Sequence, residues 1–159
     1  MRLTVEVHDR DGAARNGAVR TARGCFEVPT FMPVGTRGTI RALTTHELAG
    51  LRSANGGGPE VMLANTYHLM LRPGAEAVAA LGGLHSFSGF DGHMLTDSGG
   101  YQVFSLEPRV SNQGAEFRST YDGSSHLLTP ESAVHTQELL GADIQMVLDV
   151  CLPLPAERG

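Results

Sequence analysis

After the first 40 residues, short apolar runs alternate with stretches in which apolar residues recur every three or four positions. Apolar runs typical of buried strands occupy residues 61–64, 93–96 and 143–150. Helical patterns cover residues 73–82 and 130–140. Strands that alternate with helices predict parallel βαβ units, so the predicted fold class is α/β.

Capping residues mark where these helices begin and end. Thr44 and Glu47 form a capping-box pattern at the start of a first helix. Pro73 is predicted as the first residue of the second helix, because proline suits that position. Thr129 is the predicted N-cap of the third helix, and Gly141 is its predicted end.

Two further segments lie outside this alternation. Residues 1–30 are predicted to form an N-terminal strand cap, with strands at residues 3–7 and 25–28 joined by a turn rich in Gly, Ala and Arg. Asp122 and Gly123 lie between two β-like runs, residues 116–121 and 125–128, which predicts an inserted hairpin.

The length of the chain limits the architecture. A closed (β/α)₈ barrel takes about 250 residues, whereas this chain has 159. The sequence therefore predicts either a small open α/β domain or roughly half of a barrel. Residues 153–159 read as a loop with no helix to cover the preceding strand, so residues 1–159 are interpreted as one partial domain.

Composition excludes several classes of protein. Hydrophobic residues make up 41% and charged residues only 18%, which favours a packed core over a disordered chain. The net charge of −5 excludes a strongly basic nucleic-acid-binding protein. No apolar run approaches the ~18 residues of a membrane span, and the N-terminus lacks the apolar region of a signal peptide. Cys25 and Cys151 are too far apart for a zinc module, so we expect reduced thiols and a cytoplasmic protein.

Two carboxylates are candidates for chemistry because of where they lie. Asp97 and Asp149 follow predicted parallel strands, and the carboxyl ends of such strands carry the sites of α/β folds. A poorly solvated carboxylate there can act as an acid or base, or accept two N–H groups. The alternative is that each aspartate caps a turn, and position alone does not decide between these interpretations.

The residues after Asp97 add to this candidate site. Gly99 and Gly100 expose backbone N–H groups, and Tyr101 can stack on a planar ring. Ser98 completes this loop, which is alternatively a flexible loop with a core tyrosine.

Two other polar segments are candidates for contacts with a ligand. Asn65 and His68 also follow a strand and can contact a ligand, although a hydrogen-bonded structural histidine is the commoner case. Arg37 in residues 35–38 can bind phosphate, but the segment lacks the ending of a P-loop and is interpreted as a loop. No histidine spacing indicates a metal site.

Several longer phrases together resemble the tRNA-guanine transglycosylases, also called queuine tRNA-ribosyltransferases. The resemblance runs from about residue 12 to 155. It is carried by FMPVGT at 31–36, LANTYHLMLRPG at 63–74, LGGLHSF at 81–87, LTDSGGYQVF at 95–104, DGS at 122–124, LTPE at 128–131 and LGAD at 140–143.

This resemblance implies a (β/α)₈ barrel, of which the chain covers roughly the first half with its strand cap and hairpin. It also implies exchange of guanine in tRNA, at the anticodon wobble position in bacteria, for a 7-deazaguanine base on the route to queuosine. The reaction is a double displacement through a covalent tRNA-enzyme intermediate. The resemblance also implies a homodimer and a zinc site. We expect both the zinc ligands and the nucleophilic aspartate to lie beyond residue 159.

The family's site residues carry over to matching positions. Asp97 resembles the acid/base aspartate that also contacts the purine, and Tyr101 the residue that stacks on it. Asp149 resembles the second purine-recognising aspartate. The rest of the base-binding loop is Ser98, Gly99 and Gly100, and the minor candidates are Asn65, His68 and Cys151.

One departure concerns the second aspartate. The bacterial pattern is Asp-Glu-Cys, whereas this chain has Asp149, Val150 and Cys151. The missing acidic residue bears on whether the site recognises an aminomethyl substituent on the base.

We expect the isolated chain to be inactive without the nucleophile. The alternatives are a non-catalytic base-binding or scaffold homologue that pairs with a second chain, and, remotely, a two-carboxylate glycoside hydrolase.

Overall fold

The computed structural model describes residues 3–55, 58–149 and 151. Its strands are β1 (Thr4–Asp11), β2 (Ala14–Thr21), β3 (Gly24–Val28), β4 (Val61–Ala64), β5 (His93–Thr96), β6 (Arg109–Ser111), β7 (Gly114–Arg118), β8 (Ser125–Leu128) and β9 (Ile144–Gln145). Its helices are α1 (Thr45–Asn55), α2 (Thr66–Leu71), α3 (Ala75–Ala80), α4 (Gly83–Ser88), α5 (Gly100–Phe104) and α6 (Pro130–Leu140).

A parallel sheet in the order β4-β5-β9 forms the frame. Val34 forms a parallel bridge to Leu63 and so extends the sheet beyond β4. Helices lie between consecutive strands along the chain, as βαβ units require. The predicted α/β class is therefore confirmed, and no closed barrel is formed within the described part of the chain.

Two apolar clusters stabilise this frame. The first packs β4 and β5 against the surrounding helices and is centred on fully buried Met62, Leu84, Met94 and Leu140. The second lies under the inserted strands and joins Tyr67 to their apolar face. Each cluster keeps a long apolar face out of water, which is the main favourable term in folding.

The segment predicted as a turn rich in Gly, Ala and Arg is instead strand β2, and that prediction was wrong. β2 is the central strand of an antiparallel sheet, paired with β1 on one side and β3 on the other. Backbone pairing on both sides outweighs the weak strand propensity of its residues. The Thr21 hydroxyl lies 3.0 Å from Nδ1 of His93, which joins this sheet to the start of β5.

The inserted hairpin contains a third strand that the sequence pattern did not predict. β6, β7 and β8 form an antiparallel sheet in that order. The predicted strand over residues 116–121 ends at Arg118, because Ser119 already closes the turn: its N–H donates to the carbonyl of Ser124, and its carbonyl accepts from Gly123.

Helix starts were predicted well only where a polar side chain caps the helix. The Thr44 backbone N–H donates to Glu47 at 2.7 Å, and Thr129 caps α6 in a capping box, so both predicted starts are confirmed. Pro73 is not the first residue of the next helix, since Gly74 is the N-cap of α3. The helix ends before Gly82 and Gly83, which both have positive φ, and a further helix that was not predicted, α4, follows it.

The predicted strand over residues 143–150 is much shorter than expected. Regular pairing to β5 covers only Ile144 and Gln145. The Met146 N–H still donates to the Thr96 carbonyl of β5 at 3.1 Å and shares this hydrogen with the buried side chain of Gln137, which accepts at 3.0 Å and donates to the Met146 carbonyl at 2.9 Å. The regular strand ends at this point, and Val150 and residues 153–159 lie outside the described residues.

Candidate active site

Asp97 lies directly after β5 and is held by groups from the neighbouring strand end. Its Oδ2 accepts from the side-chain amide of Asn65 at 2.6 Å. Its Oδ1 accepts from the backbone N–H groups of Thr66 at 2.9 Å and Gly99 at 3.1 Å. Three donors from two loops therefore fix the carboxylate at the carboxyl ends of β4 and β5.

The environment of Asp97 raises the pKa of its carboxyl group. Burial raises the pKa of this carboxyl above its usual value, because the charged form loses contact with water. The hydrogen bonds from Thr66, Gly99 and Asn65 lower the pKa but only partly offset the effect of burial. A carboxyl group with a raised pKa accepts and returns a proton more readily near neutral pH.

Ser98 connects Asp97 to the second aspartate. The buried Ser98 hydroxyl donates to Oδ1 of Asp149 at 3.0 Å and accepts from the Gly100 N–H at 3.2 Å. The sequence pattern predicted both aspartates directly after strands. This is confirmed for Asp97, whereas the prediction for Asp149 was wrong, because β9 ends at Gln145 and Asp149 reaches the loop through Ser98. Asp149 is exposed, so its second oxygen has access to a ligand.

Gly99 and Tyr101 shape the rest of this loop. Gly99 has φ 77°, and a Cβ there would lie 3.2 Å from the Tyr67 nitrogen, so the backbone approaches α2 closely. Gly100 begins the short helix α5, and Tyr101 in its first turn is 68% exposed. The Tyr101 ring is therefore available to a planar ligand.

A mostly apolar cleft adjoins the loop on the side of Asp149. Its volume is about 390 Å³, which is within the usual range for small-molecule sites. Gly100, Asp149 and half-buried Cys151 line it, together with Val103 and Leu148. Asp97 and Tyr101 do not line this cleft, so it extends the candidate site on the side of Gly100, Asp149 and Cys151.

Asn65 and His68 belong to a helix that the sequence pattern did not predict. Asn65 is the N-cap of α2 and accepts from the His68 N–H at 3.0 Å, while its amide donates to Asp97. His68 is half-buried, and its Nδ1 lies 2.8 Å from the Tyr121 hydroxyl. Burial first, and the charge of Arg37 second, lower the pKa of His68, which keeps the ring neutral.

Thr66 and Tyr121 were not recognised from the sequence. The Thr66 hydroxyl donates to the carbonyl of Asp97, in addition to the bond from its N–H to the carboxylate. A threonine at the first helical position after an asparagine cap is the signal that identifies such a residue. Tyr121 follows strand β7 by three residues, and no local pattern predicts its contact with His68.

The described residues also restrict other interpretations. Within residues 3–55, 58–149 and 151, no group of three His, Cys, Asp or Glu side chains is placed to hold a metal ion. In the same residues, no helix is long and apolar enough to cross a membrane.

Comparison with known proteins gives a consistent family. The sequence profile described as Queuine tRNA-ribosyltransferase matches residues 9–159. A relative of that name from Nitratidesulfovibrio vulgaris is 51% identical over 157 residues, covering 98% of this chain and 40% of the relative. Relatives of the same name from Solidesulfovibrio magneticus and Zymomonas mobilis are 51% and 48% identical, each covered over 39% of its length.

The chain spans about 40% of the length of these curated relatives. The profile match covers nearly the whole of this chain, including both candidate aspartates and the loop between them. The chain therefore belongs to the queuine tRNA-ribosyltransferase family.

Proposed function

We propose that this chain carries the purine-binding part of an enzyme that exchanges guanine in tRNA for a 7-deazaguanine base. The observation that carries the proposal is the pair of carboxylates joined by Ser98, with Asp97 held by three N–H donors. Family membership supports the class of reaction, and the relatives' names supply the tRNA substrate.

Asp97 acts as the acid/base group in this proposal. When the bond between a guanine nitrogen and ribose C1′ breaks, the departing base needs a proton, and the incoming base must lose one. A carboxyl whose pKa is raised by burial is suited to both transfers. Its three donors keep the group in one orientation through both half-reactions.

Asp149 and Tyr101 recognise the base. A carboxylate matches the two parallel N–H donors on the N1 and exocyclic amine edge of guanine. Asp149 is oriented by Ser98 through one oxygen and is exposed elsewhere. The exposed Tyr101 ring stacks on the base, and Cys151 lines the adjoining cleft.

The nucleophile and the zinc site of the family lie elsewhere in this proposal. No described residues form a group that fits zinc, so no step is derived through a metal. The nucleophilic aspartate that attacks C1′ is supplied by the part of the enzyme that corresponds to the uncovered 60% or so of the relatives. The 159-residue chain alone is accordingly inactive in exchange.

Additional strands complete a (β/α)₈ barrel in this proposal. The open parallel sheet has an edge on each side, at Val34 and at β9. Val34 is 57% and Val147 75% exposed, which is unusual for apolar residues beside parallel strands. Pairing with further strands would cover both.

A full-length chimera tests the proposal directly. In it, this chain replaces the matching segment of the Nitratidesulfovibrio vulgaris relative. We expect the chimera to incorporate a labelled 7-deazaguanine base into tRNA, Asp97→Asn to lower kcat at least 100-fold, and Asp149→Asn mainly to raise KM for the base. Asp11→Asn, on exposed β1, is the matched control. Near-normal kinetics in both site variants would refute the assignment.

A further inference from the structure

A cluster of cationic and aromatic side chains lies beside the candidate site. The Arg37 guanidinium donates to the Tyr121 hydroxyl at 2.7 Å and lies 5.2 Å from the centre of its ring. The Arg72 guanidinium approaches the same ring at 5.9 Å. Two cations therefore share one tyrosine, on a chain whose net charge is −5.

The Tyr121 hydroxyl is the hydrogen-bonding centre of the cluster. A guanidinium can only donate, so this hydroxyl accepts from Arg37, and it also lies 2.8 Å from Nδ1 of His68. Tyr121 thus orders a guanidinium and an imidazole with its one hydroxyl group.

Among the described residues, neither arginine has an anionic partner for its charge. No ion pair within the described residues includes Arg37 or Arg72. Asp122, the acidic residue that follows Tyr121 in the sequence, accepts hydrogen bonds from the Ser124 hydroxyl at 2.7 Å and from the Ser124 N–H at 3.1 Å. The two guanidinium groups beside one ring are both exposed, and an anion bound next to them would offset their mutual repulsion.

The position of the cluster relative to the proposed purine site indicates which kind of anion the two arginines bind. Arg37 follows the bridging residue Val34, and the carbonyl of Thr36 accepts from the Asn65 N–H at 3.2 Å. Asn65 in turn binds Asp97. The arginines therefore lie at the same end of the parallel sheet as the proposed purine site, displaced by one strand from it.

We propose that Arg37 and Arg72, arranged around Tyr121, bind the phosphodiester backbone of the RNA whose base occupies the site between Asp97 and Asp149. The inference rests on the proposed function and adds the contact that positions the nucleic acid. Guanidinium groups suit phosphate because they offer several donors in one plane. Such contacts position the RNA without reading its sequence.

The salt dependence of RNA binding tests this inference. An anticodon stem-loop labelled with a fluorophore is titrated with the 159-residue chain at 50 to 300 mM NaCl, and anisotropy gives the association constant. We expect Arg37→Gln and Arg72→Gln each to make the slope of log K against log salt shallower by about 0.7, the value of one single-strand phosphate contact. Arg10→Gln removes one charge from exposed β1 and should leave the slope unchanged.

A second variant separates charge from folding. Arg37→Lys keeps the positive charge and should retain most of the salt slope, which a merely structural role for the Tyr121 contact would not predict. Far-UV circular dichroism verifies that each variant is folded. The same titrations in the full-length chimera decide the question if the chain alone self-associates.

Three results would overturn the inference. The first is a slope of log K against log salt that is the same for Arg37→Gln and Arg72→Gln as for Arg10→Gln. The second is displacement of the stem-loop by low-millimolar inorganic phosphate at matched ionic strength, which would assign the cluster to free phosphate. The third is absence of stem-loop binding while a 7-deazaguanine base still binds, an outcome that leaves the proposed function intact. Loss of base binding as well would reject the proposed function too.

Discussion

The side-chain amide of Asn65 donates to Oδ2 of Asp97 over 2.6 Å, from the end of one parallel strand to the end of the next. The same Asn65 side chain caps α2 through its oxygen. One residue therefore fixes both the start of a helix and the orientation of the proposed acid/base group.

Replacing Asn65 by aspartate should separate these two roles. Asp is as good an N-cap as Asn, so α2 is retained, but the donor to Asp97 is lost and a like charge is added. We expect the pKa of Asp97 to rise further above its usual value, because a neighbouring carboxylate disfavours the ionised form. A ¹³C NMR titration of the aspartate carboxyls measures this. An unchanged titration of Asp97 would mean that the bond does not act on it, and Asn16→Asp on β2 serves as the control.

Replacing Gly99 by alanine should lower the stability of the fold by more than its positive φ alone accounts for. Gly99 and Gly123 have φ of 77° and 73°, but only at Gly99 would a Cβ meet a close neighbour, the Tyr67 nitrogen at 3.2 Å. Both alanine variants should lose roughly 1 kcal/mol through positive φ. The Gly99 variant should lose more and also weaken the N–H bond to Asp97. Equal urea midpoints for the two variants would contradict the close approach.

The strand end that carries Asp97 could be located from the sequence because buried parallel strands are continuous apolar runs, whereas Asp149 lies beyond the end of β9. Residues 61–64 and 93–96 are strands as predicted. The helices after them could not be located this way. α2 and α5 have six and five residues, too few to show a helical repeat, and α2 depends on the Asn65 cap.

Local sequence patterns also do not predict contacts between residues that are distant in the sequence. Arg37 was interpreted as part of a loop, and its partner Tyr121 is 84 residues away. Where the strand predicted over residues 143–150 ends, the side chain of Gln137 from α6 bonds both backbone groups of Met146, nine residues away in sequence. Neither relationship has a signal in the spacing of apolar residues.

Gln137 should be among the polar residues most costly to replace. It is fully buried and accepts from the Thr96 hydroxyl at 2.8 Å as well as bonding both backbone groups of Met146. Gln137→Leu would remove these bonds from a buried position and leave the Met146 N–H with its bond to the Thr96 carbonyl, at a cost of about 3 kcal/mol in the free energy of unfolding. Gln113→Leu, at an exposed position, should change stability by less than about 0.5 kcal/mol. Urea denaturation compares them, and equal losses would argue against a structural role for Gln137.

Asp143 should make the stability of the chain depend on pH in the acidic range. Burial by itself would raise its pKa, but bonds from His85 and the Met94 N–H and the charges of His85 and Arg23 together lower it. A carboxyl with a lowered folded-state pKa stabilises the fold above its unfolded pKa of about 3.9. That contribution is lost as the pH falls through the folded value.

Asp143→Asn should therefore be less stable than the unmodified chain at pH 6, and the difference should shrink below about pH 4. Thermal unfolding followed by circular dichroism at both pH values measures it. Asp11→Asn on exposed β1 is the control for removing one carboxylate. A difference that stays constant across this range would show that the lowered pKa does not contribute to stability.

Equilibrium binding of a 7-deazaguanine base to the 159-residue chain tests the central claim most directly. Isothermal titration calorimetry at pH 7 should detect binding to the unmodified chain and to Asp11→Asn with the same affinity. Asp97→Asn and Asp149→Asn should each weaken it at least tenfold, since a carboxylate bonded to N–H donors contributes roughly 1.5–3 kcal/mol. Equal affinity in all four proteins, or no binding by the folded, unmodified chain, would contradict the assignment of these two aspartates to purine recognition.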